Sequence, residues 1–274
     1  MSSELISSTT IAGFPAHVTE VRKGHAPLVF IHGAFVGHQP FDNWLGELAR
    51  LGWGGVSAAR RGRLGIGPER AEGLSVADYV VDTLKVIDTL SEEPVLVGHS
   101  LGGLIAQKIA EMGRCRAAIL LAPAPAAMLT AQAVALPSYL PMFPSILAGR
   151  PFLPPAGSCS RIVLNQVPKE YHASIHGSLV HESGKVYREM IFGAVKVDPA
   201  KVKCPVLVMG AEEDRIVSPA LVKWTANRYG AELRMYPNHA HLFIGEPGWE
   251  KIAADAVAWL DAKVAGNVTK LRAA

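Results

Sequence analysis

Runs of apolar residues without polar alternation recur along the chain, and they predict strands that are buried on both faces of a sheet. The clear runs lie at residues 27–31, 95–97, 117–122 and 203–210, with shorter ones at 54–59 and 232–236. A strand inside a parallel sheet has this pattern because helices cover both of its faces. Residues 4–23 instead alternate polar and apolar side chains around Gly13-Phe14-Pro15, which predicts an antiparallel hairpin at a sheet edge.

Helical periodicity lies between these strands. The segments with one apolar face are residues 41–51, 76–87, 101–112, 220–229 and 249–264. Ser75 precedes the second of them as an N-cap, and Asp78 lies in its first turn, where the helix dipole favours a negative charge. Alternation of buried strands and helices predicts a mostly parallel sheet covered on both faces, with ligands at the carboxyl ends of the strands.

The alternation stops between residues 124 and 200. Prolines are frequent there, and apolar residues come in short clusters of helical length. A stretch this long between two core strands predicts an inserted subdomain, so we expect a core of residues 1–123 and 201–274 and a helical insertion of 124–200. Its large apolar side chains could line a pocket or form the insertion's own small core: Met128, Leu136, Tyr139, Leu140, Met142, Phe143, Ile146, Leu147 and Phe152.

Composition narrows the class of protein. The 274 residues are 49% hydrophobic and carry a net charge of +3, so charge gives no reason to expect a nucleic-acid partner. The first residues lack a basic signal-peptide region, and no apolar run approaches the roughly 18 residues of a membrane span. The three cysteines are far apart in sequence and lack metal-ligand spacing. We therefore predict a cytoplasmic protein, monomeric or homodimeric, with reduced thiols and without a bound metal or cofactor.

The segment around Ser100 carries the clearest chemistry. Ser100 stands between the apolar run at 95–97 and the helix at 101–112, with Gly98 and Gly102 on either side. This G-x-S-x-G spacing is typical of a nucleophile elbow, in which a strained strand-to-helix turn exposes the serine hydroxyl. A glycine-rich connection with a helix-capping serine is the alternative interpretation.

A serine nucleophile needs a base within hydrogen-bond reach and an acid that orients the base. The carboxylates after the strand at 203–210 are Glu212, Glu213 and Asp214, and the histidines after the last strand are His239 and His241. All these groups follow the ends of strands, as Ser100 does. The order along the chain is serine, acid, histidine.

Four motifs together resemble the α/β-hydrolase superfamily over essentially the whole chain. They are His32-Gly33-Ala34, Gly98-His99-Ser100-Leu101-Gly102-Gly103, Asp214-Arg215-Ile216-Val217, and His241-Leu242-Phe243 followed by Glu246-Pro247. The resemblance implies an α/β fold with a mostly parallel eight-stranded sheet, flanking helices and an inserted helical cap. It also implies a catalytic triad of Ser100, His241 and Asp214, whereas Glu212 and Glu213 are solvated charges. His239 then orders its loop, and His32 and His99 pack under the site.

The same resemblance implies an oxyanion hole, because the attacked carbonyl oxygen becomes negative and needs hydrogen-bond donors. The donors are the backbone N–H groups of Ala34 and Leu101. The segment 32–37 also has a short likeness to plant-type methylesterases and hydroxynitrile lyases. One departure is the basic loop 58–65, which lacks the family's acidic and serine positions. We interpret it as a solvated loop with its arginines in structural ion pairs, and an anion site is the alternative.

These features predict a carboxylic ester hydrolase that works through an acyl-enzyme on a small or medium apolar substrate. A lactonase or a thioesterase would use the same residues. Two alternatives belong to other classes: a ligand receptor that keeps a vestigial or slow triad, and a hydroxynitrile lyase. A receptor would turn over less than about once per minute, far below the usual enzyme range.

Overall fold

The computed structural model describes residues 5–63, 67–130 and 132–265, so residues 64–66 of the basic loop lie outside the described part. The strands are β1 (Ser7–Ile11), β2 (Phe14–Val18), β3 (Leu28–Ile31), β4 (Gly55–Ala58), β5 (Val95–His99), β6 (Ala117–Leu121), β7 (Val206–Ala211) and β8 (Glu232–Tyr236). The helices are α1 (Asp42–Arg50), α2 (Val76–Ile87), α3 (Leu101–Glu111), α4 (Leu136–Tyr139), α5 (Phe143–Ala148), α6 (Ala156–Ile162), α7 (His172–Gly177), α8 (Gly184–Ile191), α9 (Pro219–Tyr229) and α10 (Trp249–Leu260).

These strands form one eight-stranded sheet in the order β1-β2-β4-β3-β5-β6-β7-β8. β1 pairs antiparallel with β2, and β2 pairs antiparallel with β4, whereas every pairing from β4 to β8 is parallel. The predicted edge hairpin and the mostly parallel eight-stranded sheet are therefore confirmed. Parallel pairing also brings the carboxyl ends of β3, β5, β7 and β8 to one edge.

The continuous apolar runs of the central strands are explained by two separate cores. Val95 and Val97 of β5 pack with α1 and α10, whereas Leu96 between them packs with α2 and α3. Successive side chains of a strand point to opposite faces, so both faces demand apolar residues. Burying one large aliphatic side chain stabilises the fold by about 1.5–3 kcal/mol.

Local signals at the helix ends also have the predicted form. The Ser75 hydroxyl accepts a hydrogen bond from the Asp78 backbone N–H, and the Asp78 carboxylate accepts one from the Ser75 N–H. This reciprocal pair satisfies two donors that the first turn of α2 would otherwise leave without partners.

Between β6 and β7 the described residues form α4 to α8 and short turns, and none of them joins the sheet. One isolated bridge between Phe152 and Glu182 lies within this stretch. The helical character predicted for residues 124–200 agrees with these elements. The division into a core of 1–123 and 201–274 and a cap of 124–200 stays a prediction.

Candidate active site

Ser100 occupies the abrupt turn between β5 and α3. Its backbone angles are φ 55° and ψ −118°, a conformation that is uncommon for any residue with a side chain. A Cβ atom on Gly98 would lie 2.4 Å from the Gly102 carbonyl oxygen, and one on Gly102 would lie 1.9 Å from that of Ile31. The glycines on both sides are therefore required by the close approach of three backbone segments.

The structure brings Ser100, His241 and Asp214 together although they are far apart in the sequence. His241 Nε2 lies 3.0 Å from Ser100 Oγ, and His241 Nδ1 lies 2.8 Å from Asp214 Oδ2. The other oxygen, Asp214 Oδ1, accepts hydrogen bonds from the backbone N–H groups of Ile216 at 2.7 Å and Val217 at 3.0 Å. The carboxylate is thus fixed, and it holds the proton of the imidazole on Nδ1, which leaves Nε2 to accept from the hydroxyl.

The neighbouring carboxylates and histidine lie elsewhere. Glu212 and Glu213 are exposed, whereas Asp214 is buried. His239 Nδ1 lies 3.2 Å from Glu246 Oε2, and the same oxygen accepts the Ala240 N–H at 2.8 Å. Glu246 therefore fixes the loop that carries the histidines.

Two further histidines lie beneath the site and are neutral. His99 Nε2 donates to the His241 carbonyl oxygen at 2.8 Å. Burial, and after it the neighbouring His241 ring, lowers the pKa of His99 to about 3. Burial, followed by the charges of Arg60 and Arg63, lowers the pKa of His32 well below its ordinary value.

Two backbone N–H groups near the hydroxyl have no partner within the described residues. A Cβ on Gly33 would lie 3.4 Å from Ser100 Cβ, so the loop that contains Ala34 runs directly beside the serine. Leu101 is the first residue of α3, and its N–H is one of the donors that a helix start leaves free. Neither the Ala34 N–H nor the Leu101 N–H donates to another described group. Both are available to a ligand.

A cavity of about 580 Å³ opens over this arrangement, and Ser100, Ala34 and His241 lie in its wall. Most of the remaining wall is apolar. Glu250 is the one carboxylate, ammonium or guanidinium group that the described residues contribute to it. The cavity can therefore hold an apolar molecule next to the serine hydroxyl.

The apolar residues that we singled out in the insertion have different positions. Tyr139 and Met142 line the cavity. Ile146 and Phe152 are buried, and the Phe152 ring packs against Phe35 of the loop after β3 as well as against Tyr187. Met128, Leu136, Leu140 and Leu147 are exposed. Most of the insertion's contribution to the wall comes from other residues, including Ile162, Leu164, Val167, Ile175 and Leu179. Their apolar positions are mixed with polar ones along the chain, so no periodic pattern marks them as cavity residues.

In the described part of the basic loop after β4, two of the three arginine side chains are buried. Arg61 pairs with Asp82 and Arg63 with Glu182, so the predicted ion pairs are present. Arg60 is only 2% exposed, and no described carboxylate lies within ion-pair distance of it. The interpretation of this loop as solvated is wrong for Arg60 and Arg63, both of which are buried against the loop beside the serine.

The three cysteines are free thiols in the described part of the chain. Cys115 Sγ and Cys204 Sγ lie 3.6 Å apart as free thiols, a proximity that their separation in sequence does not reveal. Among the described residues, no group of three or more His, Cys, Asp or Glu side chains could hold a metal ion. Within the same part of the chain, every helix is too short or too polar for a bilayer crossing.

Comparison with known proteins gives three kinds of match. The model of a family described as "Alpha/beta hydrolase family" matches residues 28–254. A predicted non-heme haloperoxidase of Mycobacterium phage D29 is 38% identical over 114 residues, and the match spans 40% of that relative's length and 40% of this chain. Two solved structures share the fold at 18% identity each. The monoacylglycerol lipase of Paleococcus ferrophilus has a TM-score of 0.66 over 94% of this chain and 99% of its own. A thermophilic esterase from Thermogutta terrifontis has a TM-score of 0.66 over 94% and 97%.

Proposed function

The chain belongs to the alpha/beta hydrolase family, and from that premise we propose that it is a serine hydrolase that cleaves carboxylic esters through an acyl-enzyme. The observation that carries the proposal is the hydrogen-bonded series from Ser100 Oγ to His241 to Asp214, with separations of 3.0 and 2.8 Å. This is the geometry in which a histidine can remove the proton from a serine hydroxyl.

The reaction then follows in two halves. Ser100 Oγ attacks the ester carbonyl carbon while its proton passes to His241 Nε2, and Asp214 stabilises the resulting imidazolium. The N–H groups of Ala34 and Leu101 stabilise the negative oxygen. His241 returns the proton to the leaving alcohol as the ester bond breaks, which leaves the acyl group on Ser100. Water attacks this second ester with the same proton transfers and releases the acid.

The cavity supports a substrate class. Its apolar wall and volume of about 580 Å³ favour an uncharged ester with a small or medium apolar chain. Each methylene buried in such a wall contributes about 0.8 kcal/mol, which is roughly a fourfold gain in kcat/KM per carbon. Residues 124–200 act as the cap that provides much of this wall. A lactone or a thioester would fit the same machinery.

A panel of p-nitrophenyl esters of increasing chain length, with a lactone and a thioester, tests the proposal. We expect kcat/KM to rise with chain length until the cavity is full, and Ser100→Ala to abolish turnover while the fold remains. Ser160→Ala is a matched control, since Ser160 also bonds a histidine, His172, but lies outside the cavity wall. Near-normal activity of Ser100→Ala, or equal loss in both variants, would remove Ser100 as the nucleophile.

The name of the phage relative, a haloperoxidase, suggests one further assay, for halide oxidation. Hydrogen peroxide could replace water as the attacking molecule on the acyl-enzyme, and the product would then be a peracid, which oxidises halides. Halide oxidation that needs peroxide, a carboxylic acid or ester, and Ser100 would support this second activity. If the wild-type protein oxidises no halide under these conditions, ester hydrolysis remains the one proposed activity.

A further inference from the structure

Arg60 is a buried cation next to the proposed oxyanion site. It lies two residues after the end of β4, and its side chain stacks over the Tyr79 ring at 4.7 Å. Nη1 donates to the His32 carbonyl oxygen at 2.8 Å, and Nη2 donates to that of Gly33 at 3.2 Å. Burying a charge without a carboxylate partner costs free energy of folding. A guanidinium that donates only to two backbone carbonyls is therefore a candidate for a role in function.

The bonded carbonyls belong to the segment that carries one proposed oxyanion donor. The Gly33 oxygen also accepts from His32 Nδ1 at 3.0 Å, so it is held from two sides. The peptide bond between Gly33 and Ala34 is trans, and in a trans peptide the C=O and N–H groups point in opposite directions. Fixing the Gly33 oxygen against Arg60 therefore turns the Ala34 N–H away from Arg60.

The rest of this loop is held by other groups. The Phe35 carbonyl accepts the Val180 N–H at 2.8 Å, and the Val36 carbonyl accepts Arg63 Nε at 2.9 Å. Among the described arginines, Arg60 alone donates to the two carbonyl groups that precede Ala34, those of His32 and Gly33. Its role is thus separable from that of the neighbours that anchor the loop's far end.

We propose that Arg60 is a positioning residue for ester hydrolysis, which holds the His32 and Gly33 carbonyls so that the Ala34 N–H faces the oxyanion. Its charge lies at the negative end of these peptide dipoles and polarises them, which strengthens the N–H as a donor in the transition state. The inference rests on the proposed ester hydrolysis.

The charge state agrees with this role. Burial, and after it the charge of Arg63, lowers the pKa of Arg60 to about 10. The guanidinium therefore keeps its proton at neutral pH, where it acts on the loop as a full positive charge.

The test compares Arg60→Met and Arg60→Lys with Arg61→Met as the matched control. Arg61 lies in the same loop but pairs with Asp82, so its loss affects stability without touching the Gly33 carbonyl. Rates with a p-nitrophenyl ester are divided by the number of active sites, which the initial burst of p-nitrophenol measures. A trifluoromethyl ketone, whose bound hemiketal carries an oxyanion, gives a second readout as Ki.

We expect Arg60→Met to lower kcat about 10- to 100-fold, somewhat less than the loss of an oxyanion donor itself, with KM changed by less than about threefold. The Ki of the ketone rises by the same factor. Arg60→Lys, which keeps a charge and one donor, recovers part of both losses. Arg61→Met keeps the wild-type kcat per active site.

A solely structural role predicts fewer active sites with unchanged kcat and Ki per site, and that result would overturn the inference. If Arg60→Met does not fold, Arg60→Lys decides the matter, because wild-type kcat and Ki in that variant would equally overturn it. A wild-type protein that turns over no ester while Ser100 stays unreactive would instead overturn the proposed function, and the inference with it.

Discussion

Asp214→Asn tests how the carboxylate sets the protonation of His241. Asp214 Oδ1 faces two backbone donors, the N–H groups of Ile216 and Val217, at 2.7 and 3.0 Å. An asparagine at this position satisfies both of them only with its single carbonyl oxygen, so its NH₂ group must face His241 Nδ1. That nitrogen must then accept, and the imidazole proton moves to Nε2.

An imidazole protonated on Nε2 cannot accept the Ser100 proton. The wrong tautomer in such a triad lowers kcat about 10⁴-fold, which corresponds to about 5 kcal/mol of transition-state stabilisation. Folding changes little, since the substituted side chain has the same shape and keeps its backbone hydrogen bonds. The assay is kcat for a p-nitrophenyl ester, with thermal unfolding measured in parallel.

Glu213→Gln is the matched control, because Glu213 is the adjacent carboxylate and is exposed. We expect its kcat to stay within about twofold of wild type, as for most surface substitutions. If Asp214→Asn kept a tenth or more of the activity, or if the larger loss followed the change at Glu213, the Asp214 carboxylate would not control the tautomer of His241.

Three further changes test the surroundings of the site. Burial lowers the pKa of His99 to about 3, below the roughly 6.5 of the unfolded chain, so between these pH values only the unfolded state gains the proton and the free energy of unfolding falls as pH falls. In urea melts from pH 6.5 to 4, His99→Gln should therefore lose less free energy of unfolding than wild type, and an equal loss in both proteins would contradict this. Glu182→Gln removes the carboxylate partner of Arg63, whose side chain is 1% exposed, so we expect the free energy of unfolding to fall by about 3–5 kcal/mol. A fall below about 1 kcal/mol in denaturant melts would show that the pair contributes little to stability. Gly102→Ala places a methyl group 1.9 Å from the Ile31 carbonyl oxygen, so little folded protein should be recovered on expression. A well-folded, fully active variant would show that the backbone of the turn can move to make room.

The sheet could be predicted from the sequence because its signals are local. Unbroken apolar runs such as residues 117–122 require cover on both faces, and the alternation at 4–23 sets the edge hairpin. Strand boundaries agreed to within a residue or so at β4 and β6. The parallel order then places the strand ends before Ser100, Asp214 and His241 at one edge of the sheet.

The burial of Arg60 and the residues of the cavity wall were not predicted from the sequence, because both depend on contacts between distant segments. Arg60 looks like one more surface arginine, because only the packing of β4 beside β3 shows that it lies under the loop at 32–34. The cavity wall was missed for a related reason. Short helices such as α6 and α7 expose either face depending on how they pack, and their sequences do not say which residues, Ile162 or Ile175 among them, face the serine.

Whether Ser100 is the nucleophile is tested most directly by identifying the residue that carries the acyl group during turnover. Wild-type protein is mixed with a p-nitrophenyl ester, quenched in acid within the burst, digested and analysed by mass spectrometry. We predict the acyl group on Ser100, with slower formation and slower release in the His241→Ala variant, because His241 takes part in both steps. Steady ester hydrolysis with the acyl group on another residue, or with none on Ser100 at any time, would contradict it.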